Sequence, residues 1–204
     1  MCWNAKVSLN TFMIGLIGIL YGYINKYPIT ELLLFLSFTS MQLVEYFIWT
    51  YYDNKRLNHI FTLIGALLIG IQPIMSMLML KDVNKYMMYI LLSIYLSYRL
   101  YKLIYKNDWN EPNIISYKGE NGHLVWSWIK KSNIDYLTVI IFLICLLLPL
   151  LLCGKLDLFI YALITLVISI YYFTKYDTWT SMWCWSLNFW VLFIIIKDLY
   201  MKKI

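Results

Sequence analysis

Long apolar stretches alternate with short polar connections along the chain, and this pattern predicts its elements. Seven stretches are long enough to cross a bilayer as helices, because a hydrocarbon core about 30 Å thick requires about 20 apolar residues. Polar and apolar positions do not alternate within these stretches, which favours helices over the strands of a barrel. We place the spans at Ser8–Ile24, Thr30–Tyr51, His59–Leu80, Lys85–Lys102, Tyr136–Cys153, Leu156–Thr174 and Ser181–Lys197.

The fourth connection departs from this pattern, because residues 106–135 form a long segment of mixed polarity. Gly119 and Gly122 lie in a short polar run between two segments of β-prone residues, and this arrangement predicts a hairpin. We therefore expect an all-α, polytopic seven-helix transmembrane bundle with a small β-hairpin-like extramembrane cap between helices four and five. The other connections are too short to separate domains, so residues 1–204 are predicted to form a single transmembrane domain.

The composition agrees with lipid as the solvent of this chain. Hydrophobic residues make up 62% and charged residues 14%, whereas a soluble domain is roughly half apolar and about a quarter charged. The net charge of +6 is spread over both ends of the spans, which favours anchoring to anionic headgroups over nucleic-acid binding. The 19 tyrosines and 9 tryptophans fit aromatic belts at the interface. The lipid bilayer is the expected partner, and no nucleic acid is expected.

The odd number of spans places the N-terminus and the second, fourth and sixth connections at one membrane face, which we call the N-face. Lys and Arg accumulate in cytoplasmic connections. Their distribution favours an N-face in the cytoplasm through the long fourth connection, and the bias reverses without that connection. The prediction is an integral, multi-pass membrane protein with a cytoplasmic N-terminus.

Glu45 is the only acid deep inside a predicted span. A carboxylate in the membrane costs a few kcal/mol and usually marks a functional site or a buried partner. Gln42 precedes it by three residues and Trp49 follows it by four, so the three side chains share one helix face. The alternative is a protonated or hydrogen-bonded carboxyl group that fixes helix packing.

The cysteines and His123 are the other candidates for chemistry. Cys2 and Cys184 are predicted to lie at the N-face, and His123 opens the second arm of the hairpin there. Cys, His and carboxylate ligands suit zinc and related ions, so a soft or borderline metal ion is one alternative. A Cys2–Cys184 disulfide, thiol redox chemistry and acylation of Cys2 are others. Cys145 and Cys153 lie among leucines and are expected to act as small apolar residues.

Known catalytic motifs do not extend this set. The chain has no C-x-x-C or H-E-x-x-H spacing, no G-x-S-x-G and no P-loop or dinucleotide fingerprint. The sequence therefore leaves open whether the protein is an enzyme.

Four short motifs carry a resemblance. They are Met1-Cys2-Trp3-Asn4, Gln42-Leu43-Val44-Glu45 followed by Trp49, Gly122-His123-Leu124 and Ser181-Met182-Trp183-Cys184. In these motifs the chain resembles a family of uncharacterised multi-pass membrane proteins, whose members begin Met-Cys-[Phe/Trp]-Ser and carry Gln-Leu-[Ile/Val]-Glu-x-x-x-Trp. Asn4 stands where the family usually has Ser. The resemblance implies the same residue set and names no reaction.

These observations lead to one site hypothesis and two alternatives. A small-ligand, metal or thiol site is predicted near the N-face. One alternative is an ion or proton channel or transporter that uses Glu45, and the other is a structural membrane protein. The candidate site residues are Cys2, Glu45, His123 and Cys184, with Gln42, Trp49 and Asn188 as support.

Overall fold

The computed structural model describes residues 4–105, 114–129 and 135–201. Most of these residues form seven helical segments, and the last segment is divided in two at Asn188. The predicted seven-helix count is confirmed within this part of the chain. The helices are α1 Ala5–Ile24, α2 Ile29–Thr50, α3 Lys55–Leu78, α4 Lys85–Tyr105, α5 Tyr136–Leu152, α6 Leu156–Phe173, α7 Trp179–Leu187 and α8 Phe189–Met201.

Four of the described helical segments are long and apolar enough to cross a membrane. They are Ala5–Ile24, Ile29–Thr50, Lys55–Asp82, in which a 3-10 turn extends α3, and Leu156–Tyr176. α5 is a shorter apolar helix. Several such helices in one chain are typical of a multi-pass integral membrane protein.

Asparagine caps explain why two helices begin earlier than hydropathy alone predicts. Asn4 accepts a hydrogen bond from the Val7 backbone at 2.9 Å, so α1 begins before the apolar run. Asn54 does the same for α3, accepting from Leu57 at 3.1 Å. An N-cap side chain satisfies backbone donors that the first helical turn leaves free, and this fixes the start of the helix.

Small residues on one face of α1 allow close packing against α2 and α8. A Cβ atom on Gly15 would lie 2.6 Å from Thr39 Oγ1 of α2, and one on Gly18 would lie 1.7 Å from Val191 Cγ1 of α8. Close approach of this kind is typical of helices that associate in lipid. The face holds Ser8, Thr11, Gly15, Gly18 and Gly22, all buried.

The predicted hairpin is present between α4 and α5. Its strands are β1, Ser116–Lys118, and β2, Leu124–Trp126, which pair antiparallel with Tyr117 opposite Val125. Gly122 has φ +78°, a conformation that glycine adopts readily in the turn between the strands.

The second strand of the hairpin is buried within the protein. Leu124 is 0%, Val125 1% and Trp126 2% exposed. Leu124 and Trp126 pack in one cluster with Ile48 of α2. Contacts with helices that are distant in the sequence therefore cover β2.

Side chains of α3 and α7 hold the hairpin in place. Asn58 donates to Ser116 O and accepts from Ser116 N, both at 2.9 Å. His59 Nδ1 lies 2.8 Å from Ile114 O, which assigns this histidine a structural contact. Ser181 Oγ of α7 donates to Leu124 O at 2.9 Å. The hairpin therefore packs against the end of α2, the beginning of α3 and the beginning of α7, at the N-face end of the bundle.

Candidate functional site

Three polar side chains follow one another along the buried face of α2, and we call them the polar row. Thr39, Gln42 and Glu45 are spaced by three residues, and each is 0% exposed. At a rise of 1.5 Å per residue, the row is about 9 Å long. It lies in the part of α2 that leads towards the hairpin.

Gln42 is the most unusual member of the polar row. Neither its side-chain nitrogen nor its side-chain oxygen has a hydrogen-bond partner in the described part of the chain. The hydroxyl of Thr39 has no partner there either. A buried polar group without a partner costs about 1–3 kcal/mol, so most such groups in native proteins bind protein, water or ligand.

Cys184 of α7 lies beside this row. Its thiol is buried and packs with Met41 and Ile48 of α2. The side chain of Gln72 lies within reach of the thiol, and the carboxyl group of Glu45 is close enough to interact with it electrostatically. The structure therefore brings together two of the predicted site residues, Glu45 and Cys184.

Gln72 of α3 is a site residue that the sequence analysis did not select. It is 1% exposed, and its Nε2 has no hydrogen-bond acceptor within residues 4–105, 114–129 and 135–201. In the sequence, the feature that could have identified Gln72 is a lone amide side chain in an apolar stretch. Pro73, the next residue, lies inside α3 and leaves the carbonyl four residues earlier without its usual helical donor.

Asn188 lies at the break between α7 and α8. Its Nδ2 donates to Cys184 O at 2.9 Å, which satisfies a carbonyl where the helix is interrupted. Its Oδ1 is buried and has no donor among the described residues. Asn188 thus adds an unused acceptor one turn from Cys184.

α1 borders the same region. Thr11 Oγ1 accepts from Trp185 Nε1 of α7 at 3.2 Å, which joins the two helices. Ser8, one turn earlier, is fully buried, and its hydroxyl has no partner in the part of the chain that the structure describes. Unused polar atoms are therefore contributed by Ser8, Thr39, Gln42, Gln72 and Asn188.

His123 takes a different position, at the hairpin side facing α6. Its ring packs edge-on against Phe173 with centroids 5.6 Å apart. The neighbouring turn is attached to the beginning of α7, since Asn121 Nδ2 donates to Thr178 Oγ1 at 2.9 Å. Burial lowers the pKa of His123 from 6.5 to about 4, which keeps the imidazole neutral at physiological pH.

The remaining predicted residues are placed as follows. Trp49 stacks on Tyr52 with centroids 5.9 Å apart and packs in the cluster that contains Cys184. Cys184 is a free thiol. Cys2 lies outside the described residues. Among the residues that are described, no three His, Cys, Asp or Glu side chains gather in a group that could hold a metal ion.

No family model, no curated protein and no solved structure matches the chain. The family resemblance of the four short motifs therefore stays a prediction. Its coarser implication, a multi-pass membrane protein, is supported by the four long apolar helices.

Proposed function

We propose that this protein binds a small polar ligand in an enclosed site inside its membrane bundle. The site is formed by the polar row together with Gln72, Cys184 and Asn188. The observation that carries the proposal is the Gln42 amide, which is completely buried and has neither a donor nor an acceptor among the described residues.

The unused atoms define the chemistry of the ligand. Gln42 offers both a donor and an acceptor, Gln72 Nε2 is a donor, and Asn188 Oδ1 is an acceptor. A ligand that satisfies them must itself carry donors and acceptors. The neighbouring carboxyl of Glu45 and thiol of Cys184 add groups that can donate or accept according to their protonation.

The apolar packing below the polar row favours binding over transport. Towards the beginning of α2, Leu34, Phe35 and Phe38 pack into a cluster with Leu146 of α5 and Trp183 of α7. A polar path to the opposite face would have to cross this cluster. Glu45 therefore contributes to a site with a closed inner end, and ion or proton transport is the less favoured alternative.

The proposed function includes an arrangement of the helices in the membrane. All seven helical segments cross the bilayer, and the N-face lies in the cytoplasm. Single cysteines introduced at Lys26 and Lys55 test this orientation, with a membrane-impermeant maleimide applied to intact cells. Labelling at Lys26 alone is expected, and labelling at Lys55 alone would refute it.

Native mass spectrometry of the full chain, purified in a mild detergent, tests ligand binding. The wild-type protein is expected to carry an additional small mass that Gln42→Leu and Gln72→Leu both lose. Ser37→Ala is the matched control, because Ser37 Oγ is buried on α2 but already donates to Leu34 O at 2.6 Å. This variant should retain the mass. A bare polypeptide mass for the wild-type protein would contradict the proposal.

A further inference from the structure

A second group of unused polar atoms lies between the hairpin and α2. Trp49 of α2, Trp126 of β2 and Trp128, which follows β2, pack in one cluster that we call the indole cluster. The rings of Trp126 and Trp128 have centroids 5.5 Å apart. All three indole nitrogens are shielded from solvent, and none has an acceptor among the described residues. Trp126 is only 2% exposed.

Other tryptophans of the same protein show the usual arrangement. Trp183 Nε1 donates to Ala162 O at 3.1 Å, and Trp185 Nε1 donates to Thr11 Oγ1 at 3.2 Å. Buried indole N–H groups usually find such a partner. Among the described residues Trp190 Nε1 also has no acceptor, but it is a single such indole in its apolar cluster. Three unused donors in one cluster require a common explanation.

The chemistry of the cluster indicates what would bind there. An indole N–H donates and cannot accept, so the ligand needs acceptor atoms. The hydrophobic residues of the cluster include Ile48, Leu124 and Phe61, and the acid Glu45 lies close to another member, Cys184. Burying an anion among apolar groups and near an acid is costly, which favours a neutral acceptor on an apolar body.

We propose that the indole cluster binds the carbonyl oxygens of an apolar, membrane-soluble molecule. Trp49 is in the last turn of α2, at the N-face end, where ester carbonyls of lipids also lie. The carbonyls can come from an acyl ester of a phospholipid or from a free carbonyl compound such as a quinone. This site goes beyond the polar-ligand site at Gln42, because it rests on different atoms and needs only acceptors.

Indole N–H resonances in ¹⁵N-tryptophan-labelled protein test this inference. The full chain is placed in nanodiscs of ester-linked phosphatidylcholine and, separately, of the diether analogue, which has no carbonyl groups. Substitution of one tryptophan at a time with Phe, as in Trp126→Phe, assigns the resonances and keeps an aromatic ring in place. A short-chain benzoquinone is then added to the diether sample.

Each outcome decides the inference. A downfield shift of the Trp126 and Trp128 resonances in ester lipid relative to diether lipid identifies a phospholipid ester. A shift that appears only when benzoquinone is added identifies a free carbonyl compound. Trp183 and Trp185 are internal controls and should not move. Unchanged Trp126 and Trp128 resonances in all samples would overturn the inference. Gln42→Leu should leave these shifts intact, so failure of the polar-ligand site is recognised separately.

Discussion

The two sides of α3 differ in whether their buried polar groups have hydrogen-bond partners. Towards α4 and α5, Ser76 Oγ donates to Leu146 O at 2.6 Å, and Tyr95 donates to the carbonyl of Gly70 at 2.8 Å. Towards α2 and α7, the buried amides of Gln72 and Gln42 have polar atoms without partners in the described chain. α3 therefore separates a side where buried polar groups form hydrogen bonds with each other from a side where some have no partner among the described residues.

We interpret the polar groups with hydrogen-bond partners as structural and those without partners as candidates for ligand binding. Hydrogen bonds between membrane helices hold them together, and they need no further molecule. Unused donors and acceptors in a site without water access are unfavourable unless something else binds them. Under the proposed function, the α4–α5 side contributes to stability and the α2–α7 side binds the ligand.

Removing the charged hydrogen bonds between α4 and α5 should have the largest effect on stability. Asp135 accepts from Lys102 Nζ at 2.9 Å and from Tyr98 at 3.2 Å, and it caps α5. We expect Asp135→Ala to lower the free energy of unfolding by about 2 kcal/mol, since hydrogen bonds to charged groups contribute about 1.5–3 kcal/mol. Denaturant unfolding in detergent measures this. The exposed Asp82 offers a control, and an equal loss in Asp82→Ala would refute the assignment.

The same contact predicts a pH dependence. The hydrogen bond from Lys102 holds the pKa of Asp135 well below its usual value of 3.8. A carboxyl with a depressed pKa in the folded state stabilises the protein above the unfolded pKa, and this contribution is lost as the pH falls below about 4. Unfolding curves measured between pH 3 and 7 should show a steeper acid loss for the wild type than for Asp135→Asn. Parallel curves would contradict this cause.

The effect of Gln42→Leu on stability should change sign with ligand occupancy. In protein that retains its ligand, the substitution is expected to lower stability by about 1–2 kcal/mol, because it removes hydrogen bonds to the ligand. In protein stripped of ligand, the same substitution should raise stability, because it removes an unpaired buried amide. Thermal unfolding before and after ligand removal measures both. The same sign in both samples would count against a ligand at Gln42.

Two conservative substitutions compare the two sides directly. Ser76→Ala should lower stability by about 1 kcal/mol, because it leaves the Leu146 carbonyl without this donor. In protein stripped of ligand, Thr39→Val should be nearly neutral, because the Thr39 hydroxyl has no partner among the described residues and packs closely against Gly15. Unfolding free energies of the two variants provide the test, and a larger loss in Thr39→Val would reverse the assignment of the sides.

The effect expected to be smallest at neutral pH concerns His123 and the burial of the hairpin. With a pKa lowered to about 4, His123 stays neutral in the folded state while it titrates near 6.5 in the unfolded state. Its contribution to stability is therefore full above about pH 6.5 and is lost as the pH falls towards 4. An NMR titration of the His123 ring should give an apparent pKa near 4. A value near 6.5 would indicate an exposed hairpin.

Hydropathy and turn residues were sufficient to predict the helices and the hairpin. The seven helical segments follow from the apolar runs, and the hairpin follows from its glycines between β-prone segments. The burial of β2 was not predictable, because the contacts of Leu124 with α2 join residues far apart in the sequence. Helix starts at Asn4 and Asn54 were missed because capping, rather than hydropathy, determines them.

The candidate site was predictable only in part. Glu45 and Gln42 stand out as polar residues in an apolar span, and the structure places Glu45 close to Cys184. Gln72 was not selected, because a single amide in an apolar stretch does not show which helices its side chain faces. The indole cluster was missed because tryptophans near a membrane surface fit an aromatic belt. Whether a polar atom has a partner depends on tertiary structure, so composition and spacing cannot reveal it.

An experimental density map of the purified full chain around Gln42 tests the central claim most directly. The account predicts density that belongs to no protein atom within hydrogen-bonding distance of both the side-chain nitrogen and oxygen of Gln42. It also predicts that this density is absent in Gln42→Leu. A well-ordered Gln42 amide packed only against apolar side chains would contradict the account.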